Sequence, residues 1–283
     1  MNTIREISCD LITGTVKELF IKASKDLGED VLSAIKNAAE SETAKLAKYA
    51  LDKIIENVRI AKDTDFPLCQ DTGLAVVFVE LGQDVHVTGG DFNKAIHEGV
   101  RRAYVDGFLR KSVCDPISRE NTGDNTPAII HTEMVKGNRI RIIAMPKGGG
   151  SENMSSSNML LPSSGIEGIR RHIVEMVKKA GPNPCPPVIV GAGIGGSIEK
   201  SALLAKKALL RPIGEANLSD ARLSRFEKET LDEINLLGIG PQGYGGKTTA
   251  LAVHVEMMPC HIASLPVTVN IQCHVARHKE ATI

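Results

Sequence analysis

Apolar residues in the first sixty positions recur every three or four residues. Ile12, Val16, Leu19, Phe20 and Ala23 make one such series, and Leu46, Ala47, Ala50, Leu51, Ile54, Ile55 and Val58 make another inside a Lys/Glu-rich run. That spacing gathers apolar side chains on one face of an α-helix, and such a face must bury against something. Residues 1–62 are therefore expected to form a helical cap. After residue 70 the pattern changes. Residues 74–81 are a continuous apolar run of strand length, and Asp91 stands where it can cap a helix carrying Ile96, Val100, Tyr104 and Phe108. Residues 128–134 and 139–145 read as a strand pair joined at Lys136-Gly137-Asn138. Ser163 and Ser164 open a helix running to Lys179, residues 188–190 form a short buried strand, and another helix follows over 197–210. A long charged helix is expected over 218–237, with late strands over 249–258 and 265–271. No internal repeat, low-complexity tract or linker interrupts the series. The economical architecture is α/β, a single domain over 1–283 in which an N-terminal helical segment (1–62) packs on a mixed α/β body (63–283).

Composition narrows the function classes. The 283 residues are 42% hydrophobic, with 34 Lys and Arg against 34 Asp and Glu, so no basic surface points to nucleic acid. No stretch approaches the roughly 18 uninterrupted apolar residues of a membrane span, and the start carries Arg5, Glu6 and Asp10 instead of an apolar signal region. These features predict a cytoplasmic protein. Six widely spaced cysteines then argue for reduced thiols with chemical or packing roles, not a disulfide scaffold. With aromatic residues at 3% and no Trp, the core must be built from Ile, Val, Leu and Ala.

Three glycine-rich turns and three cysteines hold the candidate chemistry. Lys147-Gly148-Gly149-Gly150-Ser151-Glu152-Asn153 follows a predicted strand, so its backbone N–H groups can form a concavity for an anion such as a carboxylate. Gly191-Ala192-Gly193-Ile194-Gly195-Gly196 has the spacing of a dinucleotide-binding fingerprint, which makes an NAD-dependent enzyme a rival reading. That fingerprint needs a second strand ending in an acidic residue about 20 positions on, where this chain has the turn Leu210-Arg211-Pro212-Ile213-Gly214-Glu215. Gly240-Pro241-Gln242-Gly243-Tyr244-Gly245-Gly246-Lys247-Thr248 suggests a phosphate loop, but Pro241 stands where that loop requires its first glycine. Cys69 and Cys185 sit in short turns bearing Gly or Pro, Cys69-Gln70-Asp71-Thr72-Gly73 and Asn183-Pro184-Cys185-Pro186-Pro187, and Cys273 sits in the short segment Asn270-Ile271-Gln272-Cys273-His274. Three thiolates can hold an iron–sulfur cluster and leave one metal position open to substrate. A cluster-bearing electron-transfer or redox-sensing module also uses cysteines, normally four and often closely spaced. An isolated cysteine is otherwise most often a small buried hydrophobe, which is the reading for Cys9, Cys114 and Cys260.

Cys69-Gln70-Asp71-Thr72-Gly73, Asn121-Thr122-Gly123-Asp124-Asn125, the 147–153 loop, Cys185-Pro186-Pro187, Gly193-Ile194-Gly195-Gly196 and Gly238-Ile239-Gly240-Pro241-Gln242-Gly243 occur together and in this order. In that combination the chain resembles the class I, iron–sulfur fumarate hydratases from about residue 10 onward. In extent it is similar to the alpha subunit of the two-subunit form. The related L-tartrate dehydratase alpha subunit shares the cysteines, while the 147–153 and 243–249 segments look more like the fumarases.

The resemblance implies a hydro-lyase interconverting fumarate and (S)-malate, with L-tartrate or mesaconate dehydration as the alternative. It implies that Cys69, Cys185 and Cys273, carried on loops, ligate a [4Fe-4S] cluster whose open iron acts as Lewis acid. It further implies that Arg110 clamps a substrate carboxylate, that Gln70 and the Gly149 backbone contact the substrate, and that Asp71 assists a threonine base from another domain. His261 matches a substrate-contacting histidine. The base and further cationic groups would come from a beta subunit, with α2β2 as the expected assembly and a small dicarboxylate as substrate.

Overall fold

A computed structural model describes residues 4–217 and 220–283. In chain order, β1 (Arg5–Ser8) leads into three helices, α1 (Cys9–Lys25), α2 (Glu29–Ser41) and α3 (Lys45–Thr64). Then come β2 (Leu74–Gly82), β3 (Val85–Thr88), α4 (Phe92–Asp106), β4 (Ile129–Val135), β5 (Ile140–Lys147) and the single turn α5 (Gly149–Glu152). The remainder comprises β6 (Ser156–Leu160), α6 (Gly165–Ala180), β7 (Val188–Gly195), α7 (Ile198–Ala208), α8 (Ala221–Leu236), β8 (Ala250–Met258), β9 (Leu265–Gln272) and β10 (Lys279–Thr282). The fold is α/β, as the pattern predicts. None of the helices among the described residues is long and apolar enough to cross a membrane.

The chain divides into two compact units. The first gathers Met1–Leu27, Val58–Gly149 and Arg277–Ile283, and the second Gly28–Asn57 and Gly150–Ala276. The N-terminal helices exist as expected but are shared between the units.

In the first unit a four-stranded sheet has the order β10-β5-β2-β4, beside a parallel β1–β3 pair. The strands expected over 128–134 and 139–145 are present as β4 and β5, yet they do not pair with each other. β2 lies between them, parallel to β4 and antiparallel to β5. Its apolar run is buried over most of its length, so it takes the centre of the sheet. The short β4–β5 connection then passes over the end of β2, where Gly82 N–H donates to the Arg139 carbonyl at 2.9 Å. A side chain at Gly82 would stand 2.5 Å from the Gly137 carbonyl oxygen, so glycine permits that crossing.

Helices α1 and α4 cover this sheet with the face the periodicity predicts. Ile12, Val16, Phe20, Ile96, Val100 and Tyr104 are buried in one cluster with Val77 and Ile142 of the strands. Asp91 caps α4 by accepting the Lys94 N–H at 2.8 Å. Phe108 does not belong to the α4 face: the helix stops at Asp106 and Phe108 is 91% exposed.

In the second unit the sheet order is β6-β9-β7-β8, with β7 parallel to β8 and antiparallel to β9. The core combines Ile173 of α6, Phe226 of α8, and Val190, Val255 and Ile271 of the strands. The helix expected over 218–237 begins, among the described residues, at Ala221 behind an Asp220 cap; Leu218 lies outside those residues. β7 runs on through the glycines to Gly195. An added Cβ would stand 2.2 Å from the Ala205 carbonyl oxygen at Gly191, and 1.9 Å from that of Ser201 at Gly193. The fingerprint-like spacing therefore marks where α7 lies directly on a strand: Gly191 and Gly193 are inside β7, and only Gly196 and Ser197 stand between strand and helix.

Candidate active site

In the first unit the Cys69 turn is held from several sides. The Asp71 N–H points at Cys69 Sγ at 3.4 Å, and the thiol lies 3.3 Å from Gln70 Oε1. The Asp71 carboxylate accepts the Gly73 N–H at 2.9 Å through Oδ1 and the Gly149 N–H at 2.8 Å through Oδ2. The Asp71 main-chain carbonyl accepts from Nη2 of Arg277, a residue only 4% exposed. The Gly149 amide of the 147–153 loop is thus directed at a carboxylate, and that carboxylate belongs to Asp71.

A second strip of chain is tied to this turn through uncharged side chains. Thr72 Oγ1 donates to the Arg110 carbonyl at 2.8 Å, and Tyr104 Oη donates to the Thr72 carbonyl at 2.7 Å. Burial pushes the Tyr104 phenol well above its usual range, so it remains a neutral donor. Asn125, fully buried with φ of 64°, accepts the Ser112 N–H at 2.6 Å and donates to the Gly73 carbonyl at 3.1 Å. These bonds fix the main chain around Arg110 relative to Cys69-Gln70-Asp71.

Between the two strips opens a cavity of about 480 Å³, lined by Gln70, Asp71, Arg110, Ser112, Arg119 and Gly149 among others. The structure thus brings together four residues singled out in the sequence, Gln70, Asp71, Arg110 and Gly149. Cys114 also lines the cavity, where the sequence suggested only a packing role. Arg119, Asn125, Tyr104 and Arg277 were not legible as members of this neighbourhood; the only signal was the Asn121–Asn125 turn, whose buried asparagine joins the two strips.

In the second unit the Cys185 and Cys273 turns converge. His274, next to Cys273, places Nδ1 2.8 Å from the Cys185 carbonyl oxygen, which makes that nitrogen a donor. Gln242 donates to the Pro186 carbonyl from its main chain at 2.8 Å and from its side chain at 2.7 Å. Cys185 is exposed and adopts φ of 56°, a conformation that costs a non-glycine residue about 1–3 kcal/mol and clusters at functional sites. The 240–248 loop is no phosphate cradle. Its Lys247 N–H donates to the buried Glu42 carboxylate at 2.7 Å, and Lys247 Nζ donates to the Ser41 carbonyl at 2.8 Å. Burial opposes the charge on Glu42, but N–H groups from Ala44, Lys247 and Thr43 outweigh it and lower its pKa.

His261 is not brought to Cys273. Cys273 follows the end of β9 that pairs with Ile189, whereas His261 lies beyond Met258, at the Gly195 end of the same sheet. The length of β9, Leu265–Gln272, separates the two ends by about 25 Å. His261 is exposed there, and its Nδ1 accepts the Ala263 N–H at 3.1 Å, which leaves the proton on Nε2.

Comparison with known proteins decides the family. Residues 13–282 match the family described as Fumarate hydratase (Fumerase). The chain belongs to the fumarate hydratase family. A protein of Methanocaldococcus jannaschii, provisionally named L(+)-tartrate dehydratase subunit alpha, is 46% identical over 270 residues, covering 93% of this chain and 94% of the relative. The L(+)-tartrate dehydratase subunit alpha of Escherichia coli is 31% identical over 276 residues, covering 96% of this chain and 90% of its own length. Membership of the fumarate hydratase family makes the chain a hydro-lyase component.

Proposed function

We propose that this member of the family is the cluster-carrying alpha subunit of a fumarate hydratase, interconverting fumarate and (S)-malate together with a beta subunit in an α2β2 assembly. The observation that supports it best is the cavity in which Arg110 shares a lining with Asp71 and Gln70. An arginine fork suits a carboxylate, an amide can donate to or accept from a second oxygen, and a fixed carboxylate can take part in proton transfer.

The donor set fits an iron–sulfur cluster. Cys69, Cys185 and Cys273 are outside any disulfide, none is fully buried, and a main-chain N–H points at the Cys69 sulfur. When bound through these three residues, a [4Fe-4S] cluster supplies an iron with an open position, a Lewis acid for the substrate hydroxyl. The chain's own residues then have separate tasks. Arg110 holds a carboxylate and Gln70 orients the bound acid. Asp71, fixed by Gly73 and Gly149, assists removal of the C3 proton by a threonine base that the family draws from the other domain, here a beta chain. His261, at the far end of its sheet from Cys273, is left without a task in this arrangement.

L-tartrate dehydration is the second reading, favoured by the names of the two relatives. Anaerobic co-purification of alpha and beta chains, followed by kcat/KM for fumarate, (S)-malate, L-tartrate and mesaconate, tests the choice. A preference for fumarate and malate is expected; a preference of tenfold or more for L-tartrate would replace it.

A further inference from the structure

Three successive carbonyls of the Cys69 turn are held from the protein interior. Those of Thr72 and Gly73 accept from uncharged groups, the Tyr104 hydroxyl at 2.7 and 3.1 Å and, for Gly73, also Asn125 Nδ2 at 3.1 Å. The Asp71 carbonyl accepts instead from a cation, Nη2 of Arg277, which stands two residues before β10.

The Arg277 guanidinium is almost wholly buried and only partly compensated. Among the described residues its Nε and Nη1 have no hydrogen-bond partner, and it forms no ion pair. Its charge acts on the Tyr104 phenol, but burial keeps that phenol neutral, so Tyr104 supplies no counter-charge. The Asp71 carboxylate, which also acts on Tyr104, already has the N–H groups of Gly73 and Gly149 on its two oxygens. A buried cation with two idle N–H groups costs the folded chain stability unless an anion comes near it. Tyr104 shows that an uncharged donor can hold a carbonyl of this turn, so the hydrogen bond alone does not account for a charge here.

An anion is what the Cys69 turn gains when its thiolate binds metal. The Asp71 nitrogen lies 3.4 Å from Cys69 Sγ, and the Asp71 carbonyl oxygen is bonded to Arg277. Standard backbone dimensions then put the sulfur no more than about 10 Å from Arg277 Nη2. The guanidinium acts from the buried side of the turn, where charges are screened far less than at the surface.

We propose that Arg277 is a positioning residue for the iron–sulfur cluster, fixing the main chain of the Cys69 turn and supplying a buried positive charge that offsets the cluster and its thiolates. This rests on the cluster reading of the three cysteines. Net charge and hydrogen bonding around a cluster set its reduction potential and tune how firmly its metal is held. Removal of a nearby positive charge makes an added electron less favourable, so the potential falls.

Redox titration of the anaerobically reconstituted alpha–beta complex without substrate, followed by electron paramagnetic resonance, tests this, with iron retention against a chelator measured in parallel. Arg277→Gln should disfavour reduction about tenfold, a fall of about 59 mV for one electron, and should shorten iron retention. Arg277→Lys keeps the charge and should hold the potential near that of wild type. Tyr104→Phe removes an uncharged support and should leave the potential unchanged. If Arg277→Gln does not fold, replacement of Arg277 by citrulline, through ligation of a synthetic Cys273–Ile283 peptide, removes the charge and keeps the shape. Equal potentials in wild type and the uncharged variant would overturn the proposal, as would a fall of the same size in Arg277→Lys, which would mark a packing role alone. A wild-type complex that takes up no cluster would overturn the cluster reading and this proposal together, whereas normal loading with an unmoved potential in Arg277→Gln would overturn the proposal alone.

Discussion

Asp71 Oδ2 accepts the Gly149 N–H at 2.8 Å, joining a residue two positions after Cys69 to the loop that follows β5. With Oδ1 engaged by Gly73, both oxygens of the carboxylate are aimed by main-chain groups, and its orientation does not depend on a flexible partner. Asp71→Asn sets an NH2 group against one of these N–H donors. The variant should lose about 1–3 kcal/mol of stability in urea denaturation. In the reconstituted complex kcat should fall by about 10²-fold or more with a smaller change in KM, as for a lost acid–base participant. Unaltered kcat in a folded, cluster-loaded variant would remove Asp71 from the chemistry.

Cluster loading should separate the cysteines into two groups. Ser in place of Cys69, Cys185 or Cys273 should each reduce iron and sulfide per chain after anaerobic reconstitution to a small fraction of wild type. Cys114→Ser should load normally despite its place in the cavity wall. Full loading of the Cys185 variant would exclude that residue as a ligand.

Gly193→Ala tests the strand reading of the glycine-rich segment. With the Ser201 carbonyl oxygen 1.9 Å from the would-be Cβ, and that oxygen part of the helix backbone, relief requires α7 to move off the sheet. The cost should exceed about 3 kcal/mol and appear as a large drop in melting temperature or as insoluble protein. The wild-type chain should show no NAD binding by calorimetry.

The buried imidazole of His254 makes folding sensitive to acid. Burial, and then the nearby Arg211, lower its pKa from 6.5 to about 4, while its Nδ1 lies 3.2 Å from the Ala208 carbonyl oxygen. Between these two values the unfolded chain binds the proton and the folded chain does not. Stability is therefore complete above pH 6.5 and declines as pH falls toward 4. The contribution lost is at most about 3 kcal/mol. Urea titrations at pH 7.0, 5.5 and 4.5 should show the decline in wild type and a flatter profile in His254→Gln.

The helical faces and the central strand were readable because each carries its own periodicity. The buried set on α1 and the Asp91 cap need only local sequence. Pairing was not readable in the same way. β4 and β5 are close in sequence and look like a hairpin, but the crossing at Gly82 and the insertion of β2 are set by contacts distant along the chain. β6 and β10 were missed because polar residues dominate them: Ser156-Ser157-Asn158 reads as loop, and Lys279-Glu280 as a charged tail. In the candidate site, Gln70, Asp71, Arg110 and Gly149 were found through sequence motifs that match a known family. Arg119 was not, since a single arginine in a polar turn has no signal of its own. Its place in the cavity wall comes only from the fold.

β10 pairs antiparallel with β5, Lys279 opposite Ala144, and Arg277 reaches the carbonyl of Asp71. Everything else in the first unit is translated before residue 150, and the intervening chain takes on the order of ten seconds to emerge at ordinary elongation rates. During that interval β5 is an exposed edge and the Cys69 turn lacks its buried arginine. The nascent chain thus presents an open sheet edge to other chains for as long as its own closing strand is unmade, which makes this interval the one in which the first unit is most open to mispairing.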